Sequence, residues 1–192
     1  MIKAHFENIR SEILKEIAQT EKSLKIAMAW FTNLDLFNAI IDCLAKKIKV
    51  ELIIIKDSIN LRPFGLDFDL FIKHGGTLYF GNDQVLMHHK FCIIDDKVLI
   101  NGSYNWTYWA ETRNNENITI ITDEPKLLGS YKKEYSKLIS NKAKIEDIKS
   151  VTLKSSNELD SFFNLKNIIE NEYISSAIDL GARGNIEKAS KI

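Results

Sequence analysis

Cysteine is scarce in this sequence: 192 residues contain two, Cys43 and Cys92. Both sit in apolar patterns, which points to buried free thiols rather than a disulfide framework or a cysteine-based metal site. An excess of either charge is also missing. Lys+Arg and Asp+Glu both number 26, so the formal net charge is zero. That argues against a protein coated in positive charge, but not against a local basic groove, because a field depends on where charges stand. Long hydrophobic stretches are lacking as well. Runs such as Leu52 to Ile55 fall far short of the roughly 20 apolar residues that a bilayer requires. No N-terminal stretch has the charged, apolar and small-residue order of a secretory leader. These absences set the expectation of a cytoplasmic protein without membrane association. No internal repeat is visible.

What is present fits a soluble globular protein: 45% hydrophobic and 27% charged residues, enough for one domain of ordinary size and a modest extension. Phe6, Ile9, Ile13 and Ile17 recur at helical spacing, which predicts a helix over residues 3–20. Leu24 to Phe31 and Val50 to Ile55 read as buried strands. Between them runs a helix with Leu34, Phe37, Ile41, Leu44 and Ile48 inward, capped by Thr32 or Asn33. This strand–helix–strand order predicts a parallel pair. A short helix over 68–73 ends at Gly75 or Gly76, and a strand follows at 77–80. Further strands are expected at 86–94, 98–101 and 117–122, then a helix over 126–140. The fold class is therefore α/β: a mixed, largely parallel sheet with helices on both faces. From about residue 142 the composition turns to Lys, Ser, Asn and Glu. The expected organisation is a domain over 1–141 and a helical extension over 142–192.

One segment carries the chemistry: His88, Lys90, Asp95, Gly102, Ser103 and Asn105, spaced H-x-K-x4-D-x6-G-S-x-N. On a strand, residues two apart share a face. His88 and Lys90 would point one way and His89 the other. Nothing in packing needs an imidazole beside an ammonium, and burying both without an anion is costly. A phosphate would supply the missing charge. Ser103 and Asn105, after a glycine that permits a sharp turn, can donate to phosphate oxygens without adding charge. Glu116 could accept the Nδ1 proton of His88, leaving Nε2 free to attack. At average residue usage, a chance match to the six positions has a probability on the order of 10⁻⁶ to 10⁻⁵, so coincidence is a poor account of them.

The segment resembles the HKD motif of the phospholipase D superfamily, and is most similar to its small single-motif members. The resemblance covers about residues 1–140. It implies a phosphodiesterase in which His88 attacks phosphorus and forms a phosphohistidine. Lys90, Ser103 and Asn105 would hold the phosphate, Glu116 would orient His88, and Asp95 would support its loop. No metal or other cofactor is implied. A second histidine must protonate the leaving group, and the chain carries one motif, so the resemblance implies a homodimer with a shared site. DNA is the first substrate expected, with RNA possible. The alternative is a phospholipase acting on phosphatidyl or cardiolipin-type lipids, and a binding module without turnover is a third reading.

Several other residues invite a role. Trp106 reads as core, while Trp109 fits either packing or base stacking. Arg62 and Lys73 read as solvated charges before groove residues. His74 is placed to cap a helix C-terminus.

Overall fold

The computed structural model describes residues 1–62, 64–81 and 84–148. Its centre is a seven-stranded sheet in the order β1-β7-β6-β5-β2-β3-β4. The strands are β1 (Ile2–His5), β2 (Ser23–Met28), β3 (Lys49–Ile54), β4 (Thr77–Phe80), β5 (Lys90–Ile94), β6 (Val98–Gly102) and β7 (Ile118–Thr122). The helices are α1 (Ile9–Ala18), α2 (Leu34–Ala45), α3 (Phe68–Lys73), α4 (Tyr108–Arg113) and α5 (Pro125–Ile139). The α/β class and the mixed sheet agree with the sequence reading. The balance of strand directions differs from it. β2–β3 and β3–β4 are parallel, whereas β1–β7, β2–β5, β5–β6 and β6–β7 are antiparallel. The second half of the sheet is built on a hairpin, and tight turns join only antiparallel neighbours.

Apolar periodicity decides which face each helix covers. Ile9, Ile13 and Ile17 of α1 and Leu36, Phe37, Ile40, Cys43 and Leu44 of α2 are buried in one large cluster, with Phe68 and Phe71 of α3. The opposite face carries Ala27, Ile53, Phe91, Ile93, Leu99 and Ile121, and α5 covers it with Leu128 and Tyr135. Asn33 caps α2, its side chain accepting from the N–H groups of Asp35 and Leu36 at 3.1 Å each. Cys43 and Cys92 are buried free thiols.

Residues 3–20 do not form one helix. Residues 2–5 pair with β7 instead, from Ile2↔Ile121 to His5↔Ile118, and Phe6 is left 71% exposed. A sheet edge offered the backbone partners that periodicity cannot register. Arg62 is likewise no solvated charge: it is buried, and its guanidinium donates to the Ile59 carbonyl at 2.9 Å. His74 caps α3 as expected, its Nδ1 2.8 Å from the Leu70 carbonyl. After α5 the chain crosses β4: Ile145 N–H donates to the Leu78 carbonyl at 3.0 Å, and Ile148 N–H to Asp69 at 2.8 Å. The helices expected farther along the extension lie outside the described residues.

Asp95 opens the β5–β6 turn, where Asp95 and Asp96 both take positive φ (52° and 55°), the backbone of a tight hairpin. Its carboxylate accepts from the N–H groups of Glu21, Lys22 and Ser23 at 2.9, 2.7 and 2.8 Å. This fixes the register of β5 beside β2. Partial burial alone would raise its pKa, but the three donors outweigh that and hold the carboxyl below its usual range. The contribution is therefore present above the unfolded-state pKa and is lost as pH falls through the folded one. Asp95→Ala is expected to lower unfolding stability by about 1–3 kcal/mol at neutral pH. Urea titration at falling pH should show the difference from wild type shrinking in the acid range.

Candidate active site

The end of the sheet where β2 and β3 finish and β5 begins carries an open cleft of about 620 Å³. β5 starts at Lys90, so His88 stands just before the strand, although Ala29 N–H still donates to the His89 carbonyl at 2.9 Å and continues the ladder. The expected alternation holds only in part: His88 and His89 precede the strand, and His88, His89 and Lys90 all line the cleft, while the His89 ring also lies 5.7 Å from Phe91 and its Nε2 3.6 Å from Glu134 of α5. Ser103, Asn105 and Glu116 line the same cleft. Five of the six expected site residues thus come together.

Asp95 does not join them. It sits at the opposite end of β5, roughly 20 Å from His88 at a strand's rise per residue. Its part in the motif is the structural one described above, which the resemblance implied.

The turn after β6 depends on Gly102. A Cβ there would stand 2.1 Å from the Asn117 carbonyl oxygen, so only glycine lets the start of β7 approach. Ser103 N–H donates to that carbonyl at 3.1 Å. Asn105 Oδ1 accepts from the Trp30 N–H at 3.4 Å, which leaves its amide nitrogen as the donor for a phosphate oxygen. The intervening Tyr104 is buried and donates to Glu111 at 2.7 Å. Arg10 reaches Glu111 at 3.6 Å and Asp35 at 3.1 Å. Thr32 and Asn33 N–H groups donate to the Trp106 carbonyl at 2.8 and 2.9 Å. The loop is thereby stitched to α1 and α2, and Trp106 is core as expected.

Ser103 and Glu116 are hydrogen-bonded to each other. The single hydroxyl proton of Ser103 goes to Glu116 Oε2, while its oxygen accepts from Asn117 N–H at 3.1 Å. The other Glu116 oxygen accepts from Asn114 at 2.8 Å. Glu116 therefore holds Ser103 and stands as counter-charge near Lys90. Asn114 and Asn117 belong to this arrangement, and the Asn114-Asn115-Glu116-Asn117 cluster was the available signal for them.

Trp30, which sequence reading left in a strand, is the other addition. Its ring stands nearly perpendicular to that of His88 with centroids 5.4 Å apart.

Burial, then the nearby Lys90 and His89, lower the pKa of His88 and so favour its neutral form. Burial also lowers Lys90 to about 8, against the opposing pull of Glu116. The Lys90 ammonium donates to the His88 carbonyl at 2.8 Å. A neutral imidazole beside an ammonium is the protonation state that nucleophilic attack on a phosphodiester needs. Among the described residues, no group of three or more His, Cys, Asp or Glu side chains is gathered to hold a metal ion.

Lys90 is charged below about 8 and neutral above it. Affinity for a phosphodiester of constant charge should fall as pH rises through that value. Lys90→Arg, whose guanidinium stays charged, should flatten the dependence in a calorimetric titration.

Residues 13–139 match the family described as cardiolipin synthase, PLD-like domain. The chain is 35% identical over 135 residues to a mitochondrial cardiolipin hydrolase from Chlamydomonas reinhardtii, covering 70% of this chain and 59% of that one. It is 31% identical over 129 residues to the protein of the same name from Danio rerio, covering 67% and 56%. It therefore spans less than two thirds of the length of these curated relatives. Its fold is similar to that of Nuc, a phospholipase D family member from Salmonella typhimurium, with TM-score 0.68, 20% identity and 77% and 99% of the two chains covered. NucT from Helicobacter pylori superposes with TM-score 0.61 and 21% identity, covering 76% and 99%. With more than half of its length inside the family match, the chain belongs to the phospholipase D-like family.

Proposed function

We propose that the protein is a phosphodiester hydrolase that works without a metal ion and completes its active site in a homodimer. The observation that carries this is the pairing of His88 and Lys90 on one cleft with Ser103, Asn105 and Glu116. His88 Nε2 attacks phosphorus; a P–N bond forms and the P–O bond to the leaving group breaks. The leaving oxygen needs a proton. His89 faces α5, His74 caps α3, and His5 is on β1, three strands from β5. His89 also lines the cleft, but its Nε2 is directed to Glu134, so we assign the proton donor to a second subunit. A two-fold axis beside the cleft brings His88 of the partner subunit, whose imidazolium protonates the leaving oxygen. The same imidazole then takes a proton from water, which attacks phosphorus and breaks the P–N bond.

The substrate class assigned first is an anionic phospholipid diester of the cardiolipin type. Its support is the sequence relatives, which are named for hydrolysing that lipid. Hydrolysis of DNA, the first expectation from the sequence, stands second. Trp109 favours it: the residue is half-buried on α4 with the Arg113 guanidinium 5.9 Å from its ring centroid, a pairing suited to stacking on a base.

A panel of cardiolipin vesicles, double-stranded DNA, single-stranded DNA and RNA, each with and without EDTA, tests the assignment. Vesicle hydrolysis should persist in EDTA and vanish in His88→Ala. Cleavage of DNA with lipid untouched would reverse the order of substrates. Loss of activity in EDTA would sink the metal-free mechanism, and a fully active monomer in sedimentation would sink the shared site.

A further inference from the structure

We propose that Asp57 and Trp30 form a positioning pair that fixes the His88 imidazole for its attack on phosphorus, an inference that rests on the function proposed above. Trp30 follows β2 and directly succeeds Ala29, whose N–H donates to the His89 carbonyl at 2.9 Å and whose carbonyl accepts from Ile55 N–H at 3.3 Å. Its indole is only 9% exposed, and its ring meets His88 nearly edge to face. A ring in that position blocks one side of the imidazole's rotation.

Something must hold the indole in turn. Asp57 does so: its Oδ2 accepts the indole N–H at 2.7 Å. Its Oδ1 accepts from the Ile59 and Asn60 N–H groups at 3.1 and 2.9 Å. Asn60 closes the frame. Its amide nitrogen donates to the Ala29 and Ile55 carbonyls at 2.8 Å each, and its Oδ1 accepts from Phe31 N–H at 2.8 Å. The backbone on both sides of Trp30 is thus pinned by one loop.

A turn-capping role alone does not explain this carboxylate. Capping uses Oδ1, and an asparagine would cap the same turn without a buried charge. Asp57 is 5% exposed, and burial pushes its carboxyl up against the pull of Asn60, Trp30 and Ile59. A buried group kept at that cost has a directional partner, and the partner touches the nucleophile.

The groups that face His88 are Lys90 and His89 from its own segment, Trp30 from the end of β2, and Ser103, Asn105 and Glu116 across the cleft. Asp57 stands behind the indole. Trp30 and Asp57 are tied to His88 through the indole, whose N–H is committed to Asp57 rather than to phosphate. Their loss should therefore change the chemical step more than binding.

Trp30→Phe keeps a ring and removes the N–H. Asp57→Asn can keep its Oδ1 toward Ile59 and Asn60, which turns its NH₂ against the indole N–H and breaks the tether while the turn survives. Both variants and the double variant should be assayed on bis(4-nitrophenyl) phosphate, with urea unfolding and an NMR titration of the His88 imidazole alongside. Each single change should lower kcat roughly 10- to 100-fold with KM nearly unchanged. The double variant should be no worse than the worse single one, because both cut one connection. The His88 titration should move upward toward the ordinary histidine value as water reaches the ring. Unchanged kcat, additive losses, or a loss that follows only the unfolded fraction with His88 titrating as in wild type would each overturn the pair. If wild-type protein hydrolyses no diester while the His88 titration still moves in the variants, the pair stands and the proposed reaction falls.

Discussion

A half-buried ammonium in search of an anion is the constraint around which the active end is built. Lys90 sits at the first position of β5, a strand with neighbours on both sides, so its side chain cannot retreat from the cleft. Its own donor bond reaches only a carbonyl, and the carboxylate near it is already committed to Ser103 and Asn114. Burial works against the charge. A phosphate oxygen resolves that conflict, and its charge would favour the ammonium that burial disfavours. The neutral His88 beside it follows from the same burial and from the same cation.

Placement of that cation is decided far from it. The Asp95 carboxylate locks three N–H groups just ahead of β2, and the register then runs from Leu24↔Ile94 to Met28↔Lys90. A slip of one residue would turn Lys90 toward α5 and Phe91 toward the cleft. Gly102 does the corresponding work on the other wall by letting β7 close on the turn. The motif's spacing is thus a set of distances along two strands, with only part of it made of groups that meet a substrate.

Much of this was legible in the sequence because strand alternation is a strong geometric rule. It placed His88 and Lys90 on the cleft, although His89, which precedes the strand, also lines it. Helical periodicity found α2 and α5 and most of α1, and the glycine and asparagine signals marked the caps. What escaped was set by contacts distant in sequence. Residues 2–5 became a strand because β7 was there to pair with them. The excess of antiparallel ladders reflects hairpin closure in the second half of the chain. Glu116 could be named from the motif, but its bonds to Ser103 and Asn114 depend on how two loops meet. Trp30 lies in the apolar run from Leu24 to Phe31 that reads as a strand, and its tie to the loop carrying Asp57 is a contact distant in sequence. Arg62 was hidden for the same reason, since a nearby carbonyl inside a loop satisfies a guanidinium that composition would leave in water.

The short strap at Ile145 gives the sheet unequal sides. Its bridge to Leu78 takes up part of the outer side of β4, and such coverage is one way proteins prevent further strand pairing. At the other side, β1 is exposed along most of its length and pairs only with β7 among the described residues. Growth of the sheet by backbone pairing is therefore favoured from one side only. An object with a single sticky side can join one neighbour and then stop. A fibre needs two such sides, so among the described residues the strap at Ile145 works against edge-to-edge growth of the sheet.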